Sequence, residues 1–177
     1  MTQCIDCGII IIIIFINDIL RKRYGGDRHM EIAIIAHDLK KELMAQFCIA
    51  YCGILSKHSL CATGITASYI SEATGLKIEK LLAGEHGGEQ QMASRIAYNE
   101  IDALLFFRNT RPNSSFDENE YEILRMCDLY NVPVATNIAT AEVLVRAIDR
   151  GDLAWRELLN PRSEYNRKKQ ETKEDIE

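Results

Sequence analysis

From Met30 onward the chain alternates short, largely apolar runs with longer stretches of helical spacing, and this alternation restricts its fold more than any other feature. Residues 30–36 (MEIAIIA), 59–63, 76–82, 101–107 (IDALLFF) and 132–136 read as strands. A strand that is apolar without a period of two is covered on both faces, which is the pattern of a parallel sheet held between helices. Residues 39–56, 66–74, 88–99, the stretch from Asp117 to about Tyr130, and 140–150 read as the helices. Leu43, Phe47, Ala50, Tyr51 and Leu55 share one face of the first; Ala141, Leu144, Val145 and Ile148 share one face of the last. Gly75 stops the second helix, and Asp117 with Glu120 three residues later makes a capping box. The expected fold class is α/β: a single three-layer α/β/α domain around a five-stranded, mainly parallel, Rossmann-like sheet. In such a sheet, ligands bind outside the carboxyl ends of the strands. The loops at 37–38, 63–66, 83–89, 108–116 and 137–140 all follow strands and should open on that edge.

One of these loops is chemically distinctive. AGEHGGEQQ (83–91) sets three glycines around two acids and a histidine, just before a helix. Glycines allow a sharp turn and a close backbone approach, and a helix N-terminus offers N–H groups to an anion. Glu89 would place a carboxylate beside whatever is held there. A plain glycine turn capping a helix is an equal reading of the run. Lys41 by itself reads as a solvated helix lysine, and Asp38 as the N-cap of the first helix.

Bulk properties narrow the partners. The 177 residues, 47% hydrophobic and 27% charged, suffice for one domain with a sizeable core. A net charge of −5 argues against nucleic acid, while small anions remain compatible with a locally positive site. The apolar run 8–16 (GIIIIIIFI) is too short to span a membrane, which takes ~20 residues. Cys48 and Cys52 read as thiols on an apolar helix face. Cys4-x-x-Cys7 has metal spacing but no second Cys/His pair follows, so no metal is expected. The cysteine pattern suits a reducing cytoplasm. Residues 1–29 read as a leader or disordered extension, with Met30 as the native start. Gly25 and Gly26 are compatible with codons that spell a ribosome-binding sequence, and the coding DNA would decide this. The domain spans 30–159, and 160–177 reads as a charged, disordered tail.

Five segments, IAIIAHDLKK (32–41), ATGIT (62–66), AGEHGGEQQ (83–91), IDALLFFRN (101–109) and VPVATNIATAE (132–142), resemble the methylglyoxal synthase family in order and spacing. The resemblance covers roughly 30–159. It implies elimination of phosphate from dihydroxyacetone phosphate, through an enediolate, to give methylglyoxal, with no cofactor. It implies Glu89, Asp38 and His37 as catalytic residues. It implies His37, Lys41, Thr63, Gly64, Thr66, Gly84 and Asn109 as substrate and phosphate ligands. It also implies a cytoplasmic homo-oligomer, a hexamer, that handles inorganic phosphate. Several positions differ from the family pattern. Glu89 stands for an aspartate, Asn109-Thr110 for Asp-Pro, Phe116 for a histidine and Asn119 for an aspartate; Ile65 and Ala83 stand for hydroxyl residues. Those departures suit two further readings: a member that keeps the phosphate cradle to sense a phosphorylated metabolite, and a related lyase or isomerase. His86 is a candidate replacement imidazole, or else a loop-surface histidine.

Overall fold

The computed structural model describes residues 29–109 and 118–163, together with 166, 167 and 169. The apolar run 8–16, Cys4, Cys7, Thr110, Phe116, Asp117 and the end of the tail lie outside the described residues. The strands are β1 (Glu31–Ala36), β2 (Ser59–Thr63), β3 (Ile78–Leu81), β4 (Ala103–Phe107) and β5 (Val134–Ala135). The helices are α1 (Lys41–Ala50), α2 (Cys52–Leu55), α3 (Gly64–Thr74), α4 (Gly88–Ala97), α5 (Glu118–Leu129) and α6 (Ile138–Asp149). The five strands form one sheet in the order β3-β2-β1-β4-β5, and every strand pair is parallel.

Strand alternation divides the core into two halves. Ile32, Ile34 and Ala36 of β1 pack with Met44 and Phe47 of α1, Ile70 of α3 and Val145 of α6. Ala33 and Ile35 pack with Met92 and Ile96 of α4 and Ile123 and Cys127 of α5. Both faces of β1 are therefore sealed, as its unbroken apolar run requires. Burial pushes the Cys48, Cys61 and Cys127 thiols up to about 12, so they sit in the core as neutral groups. Among the described residues, no helix is long and apolar enough to cross a membrane.

Local chemistry moves several boundaries from where spacing puts them. The first helix is not continuous over 39–56. A 3-10 turn at Asp38–Lys40 precedes α1, and Tyr51 (φ −107, ψ 17) separates α1 from α2. Tyr51 stacks near the Phe47 ring, 4.7 Å between centroids, and Gly53 just beyond it is a poor helix former. Gly75 at φ 73 ends α3 with its N–H on Ser71 O. β5 keeps only two residues, because Pro133 before it has no N–H to donate. Asn137 starts α6 earlier than expected by accepting from Thr140 N at 3.1 Å.

The amino edge of the sheet is closed by a polar clamp. Arg156 has no solvent exposure. Its Nη1 donates to Tyr130 O and Asn131 O at 3.1 and 2.9 Å, and its Nη2 to Ile101 O at 3.0 Å. Asp102 Oδ1 lies 3.6 Å from Arg156 Nε, and Asp102 Oδ2 accepts from Asn160 Nδ2 at 2.8 Å. Burial raises the Asp102 carboxyl above its ordinary range and lowers the Arg156 guanidinium below its own. Packing thus continues past 159. Asn160 and Ser163, read from sequence as tail, are buried, because Asn160 satisfies the Asp102 carboxylate and Ser163 Oγ donates to Glu157 O at 2.7 Å.

Candidate active site

β1 has β2 on one side and β4 on the other, so the chain leaves β1 in one direction and returns on its opposite side. Loops that follow β1 and β4 therefore separate, and a crevice forms between them at the carboxyl edge. His37, Asp38, Lys41, Gly64, Thr66, Gly84, Glu89 and Asn109 lie on loops, 3-10 turns or first helical turns at that edge, and Thr63 is the last residue of β2.

The group after β1 is held by its own hydrogen bonds. His37 N donates to Phe107 O at 3.0 Å, which extends the β1–β4 pairing by one step. His37, and not Asp38, caps the 3-10 turn: its Nδ1 accepts from Leu39 N at 3.3 Å. Asp38 is left exposed and binds Lys41 Nζ in a short ion pair one turn along. That ammonium, first through its hydrogen bond and then through its charge, holds the Asp38 carboxyl below the usual carboxylate range. Lys41 itself is largely sheltered, its side chain 15% exposed.

The group after β2 is a helix entrance. Thr63 precedes α3 in extended conformation, and no side chain caps the helix. Thr63 Oγ1 donates to Thr66 Oγ1 at 3.3 Å in a buried pair. A Cβ on Gly64 would come 3.1 Å from Leu81 O, so the β2 and β3 exits touch backbone to backbone. Gly64 N donates to Leu82 O at 3.2 Å across the same contact.

The glycine run folds as a 3-10 turn at Gly84–His86, a left-handed Gly87 at φ 91, and then α4. Ala83 O accepts from both His86 N and Gly88 N, at 2.9 and 3.0 Å. Gln91 Oε1 accepts from Leu82 N at 3.0 Å and ties the helix back to the loop. A Cβ on Gly88 would sit 2.0 Å from Leu82 O, so this position admits only glycine. Gly87 caps α4 without a side chain, which leaves a second uncapped helix entrance at the same edge. Glu89 occupies the first turn of α4, and its Oε1 lies 3.8 Å from where a Gly84 Cβ would stand. Its side chain also borders a cleft of about 270 Å³ between α4 and α5. His86 is exposed on the turn.

The geometry therefore assembles three clusters: His37 with Asp38 and Lys41, Thr63 with Gly64 and Thr66, and Gly84 with Glu89. Asn109 is half-buried just past β4, and Asn119 lies on α5. Arg108, at the same edge, was not singled out from sequence, although a cation directly after IDALLFF was the signal for it. Leu39, Ile65, Leu82 and Ile138 stand exposed around the rim. Among the described residues, no group of three His, Cys, Asp or Glu could hold a metal.

Known proteins resemble this chain in sequence and fold. The MGS-like domain family matches residues 44–136. The methylglyoxal synthase of Caldicellulosiruptor saccharolyticus is 54% identical over 138 residues, covering 78% of this chain and 98% of that protein. The chain belongs to the methylglyoxal synthase family. The methylglyoxal synthase of Geobacillus thermodenitrificans is 44% identical over 141 residues, covering 80% of this chain and 98% of its own. The crystal structure of methylglyoxal synthase from Elizabethkingia anophelis superposes with a TM-score of 0.60 at 34% identity, covering 66% of this chain and 77% of that one. As a member of the methylglyoxal synthase family, the protein is an enzyme of the lyase class.

Proposed function

We propose that the protein converts dihydroxyacetone phosphate into methylglyoxal and inorganic phosphate. The observation that carries this reading is 54% identity over 98% of a methylglyoxal synthase. The geometry supports it with a carboxylate, a lysine and two uncapped helix entrances on one edge of the sheet.

In the proposed reaction the substrate phosphate lies at the entrance to α3. Lys41 supplies a point charge, Thr63 and Thr66 supply hydroxyls, and Gly64 and Gly84 let the backbone approach. Glu89 takes a proton from the carbon beside the carbonyl, and the electron pair moves onto the carbonyl oxygen to give an enediolate. The hydroxyl on the deprotonated carbon then gives up its proton and becomes a carbonyl, the double bond shifts to the phosphate-bearing carbon, and the carbon–oxygen bond to phosphate breaks as phosphate leaves. His37 and Asp38 assist proton movement, and Asn109 contacts the substrate. The remaining enol gains a proton at carbon and becomes methylglyoxal. Glu89 carries one more methylene than the aspartate that the resemblance implies, so its carboxylate reaches about one methylene further from the helix. We place the enzyme in the cytoplasm as a homo-oligomer, a hexamer. The exposed rim of Leu39, Ile65, Leu82 and Ile138 is a surface such an assembly would cover. Light scattering on the purified protein would test the oligomer.

The decisive assay supplies dihydroxyacetone phosphate and measures both products. Equal release of methylglyoxal and phosphate is expected, with Glu89→Gln lowering kcat by about 10²–10⁴-fold. An inactive unaltered protein, or an equally active Glu89→Gln variant, overturns the reading.

A further inference from the structure

Arg108 lies where the site most needs charge. β1 and β4 pair residue for residue, with Ala36 opposite Phe107. The bond from His37 N to Phe107 O carries that register one step on, so Arg108 leaves the sheet beside His37, at the point where the two loops diverge. Along β4, Phe107 packs into the half of the core under α1, and Phe106 into the half under α4 and α5. Arg108 follows β4 directly, on the carboxyl edge that also carries Lys41, the entrance to α3 and Glu89. The residue is half-buried and its Nε is buried, so the guanidinium stem is held within the edge of the fold.

The charge balance gives this position its meaning. A phosphate monoester carries close to two negative charges at neutral pH. The sheltered cation already assigned to it, Lys41, is matched by Asp38 in an ion pair. One lysine shared with a carboxylate cannot offset a dianion and the further charge that an enediolate develops. A guanidinium stays protonated at any working pH and offers a planar fork that fits phosphate oxygens two at a time.

We propose that Arg108 is the second cation of the substrate site and binds the phosphate end of the substrate directly. This rests on the function proposed above only for the identity of the substrate. The role itself concerns any ligand that ends in phosphate.

Calorimetric titration of the full chain with inorganic phosphate tests it without turnover. Arg108→Ala should weaken phosphate binding by about 10–100-fold, the range of a charge-assisted hydrogen-bonded contact. Arg108→Lys should fall between, since it keeps the charge and loses the fork. With dihydroxyacetone phosphate, Arg108→Ala should raise KM far more than it lowers kcat. Circular dichroism and a melting curve verify the fold, and Arg108→Gln takes the place of the alanine variant if that one unfolds. Phosphate binding equal to the unaltered protein, while Lys41→Ala loses it, overturns the proposal. A loss confined to kcat overturns it too, because it would put Arg108 at the carbonyl end. If the unaltered protein binds phosphate through Arg108 but does not release methylglyoxal, the proposed reaction fails and the role of Arg108 stands.

Discussion

The two edges of the sheet use the same kinds of residue in opposite ways. At the amino edge, Asp102 and Arg156 are buried, bonded to carbonyls and an amide, and locked against Asn160. At the carboxyl edge, Asp38 and Lys41 pair with each other, and Asp38 is 82% exposed. Arg95 shows the first pattern again, reaching Glu79 at 3.0 Å and Glu100 at 3.2 Å from a nearly buried position. A buried pair held by several backbone and side-chain hydrogen bonds cannot turn outward to a ligand. A pair with one exposed partner, on the edge that carries two uncapped helix entrances, has groups to exchange. The difference lies in what surrounds the charges, since the residue types are shared.

Experiments can press on this contrast from its strongest side. Arg156→Met should destabilise the fold by about 3–5 kcal/mol, because it leaves Asp102 buried without its counter-charge. Urea unfolding measures this, and phosphate binding at the other edge should persist in the folded fraction. Parity in stability with the unaltered protein would break the contrast. Gly88→Ala comes next, at about 3 kcal/mol, since its Cβ would meet the Leu82 carbonyl and the backbone must move. Unlike the first variant, it should abolish phosphate binding as well.

The pH dependence of stability should differ in sign between the edges. Asp38 is lowered in the folded state, so its contribution is present above the ordinary carboxylate range and is lost as pH falls through the lowered value. Asp102 is raised, so stability declines as pH climbs from the ordinary range through the raised value. Urea midpoints measured from acid to neutral pH on Asp38→Asn and Asp102→Asn, each against the unaltered protein, should show the two opposite trends. The same sign for both would sink this account. The smallest effect belongs to Arg150→Ala, which breaks an exposed pair with Asp152 and should change stability by at most about 0.5 kcal/mol.

How far the sequence discloses each edge follows from the range of its interactions. Strands such as IAIIA and ALLFF announce themselves through local apolar runs, and the sheet edge follows from chain order. Gly75 and the 83–91 run are legible because left-handed or crowded backbone demands glycine nearby in sequence. The amino-edge clamp is not legible in this way. Arg156 meets Ile101 and Tyr130 across 55 and 26 residues, and nothing near it in AWREL marks it as buried. Asn160 reads as the start of a charged tail for the same reason. At the site, family pattern points to Lys41 and Glu89. The capping role of His37 depends on how the chain turns after β1, so residue type alone assigned it to Asp38. The break at Tyr51 is likewise a matter of ring packing that helical spacing does not record.

The Asp38–Lys41 pair has a thermodynamic corollary. An anion that captures the lysine must take it from the aspartate. The abandoned carboxylate then loses the partner that suppressed its proton affinity and gains a negative neighbour. Ligand binding at this edge therefore draws protons from solution on the acid side of neutrality. The heat of binding measured there will vary with the ionisation enthalpy of the buffer, and that variation counts the protons taken up.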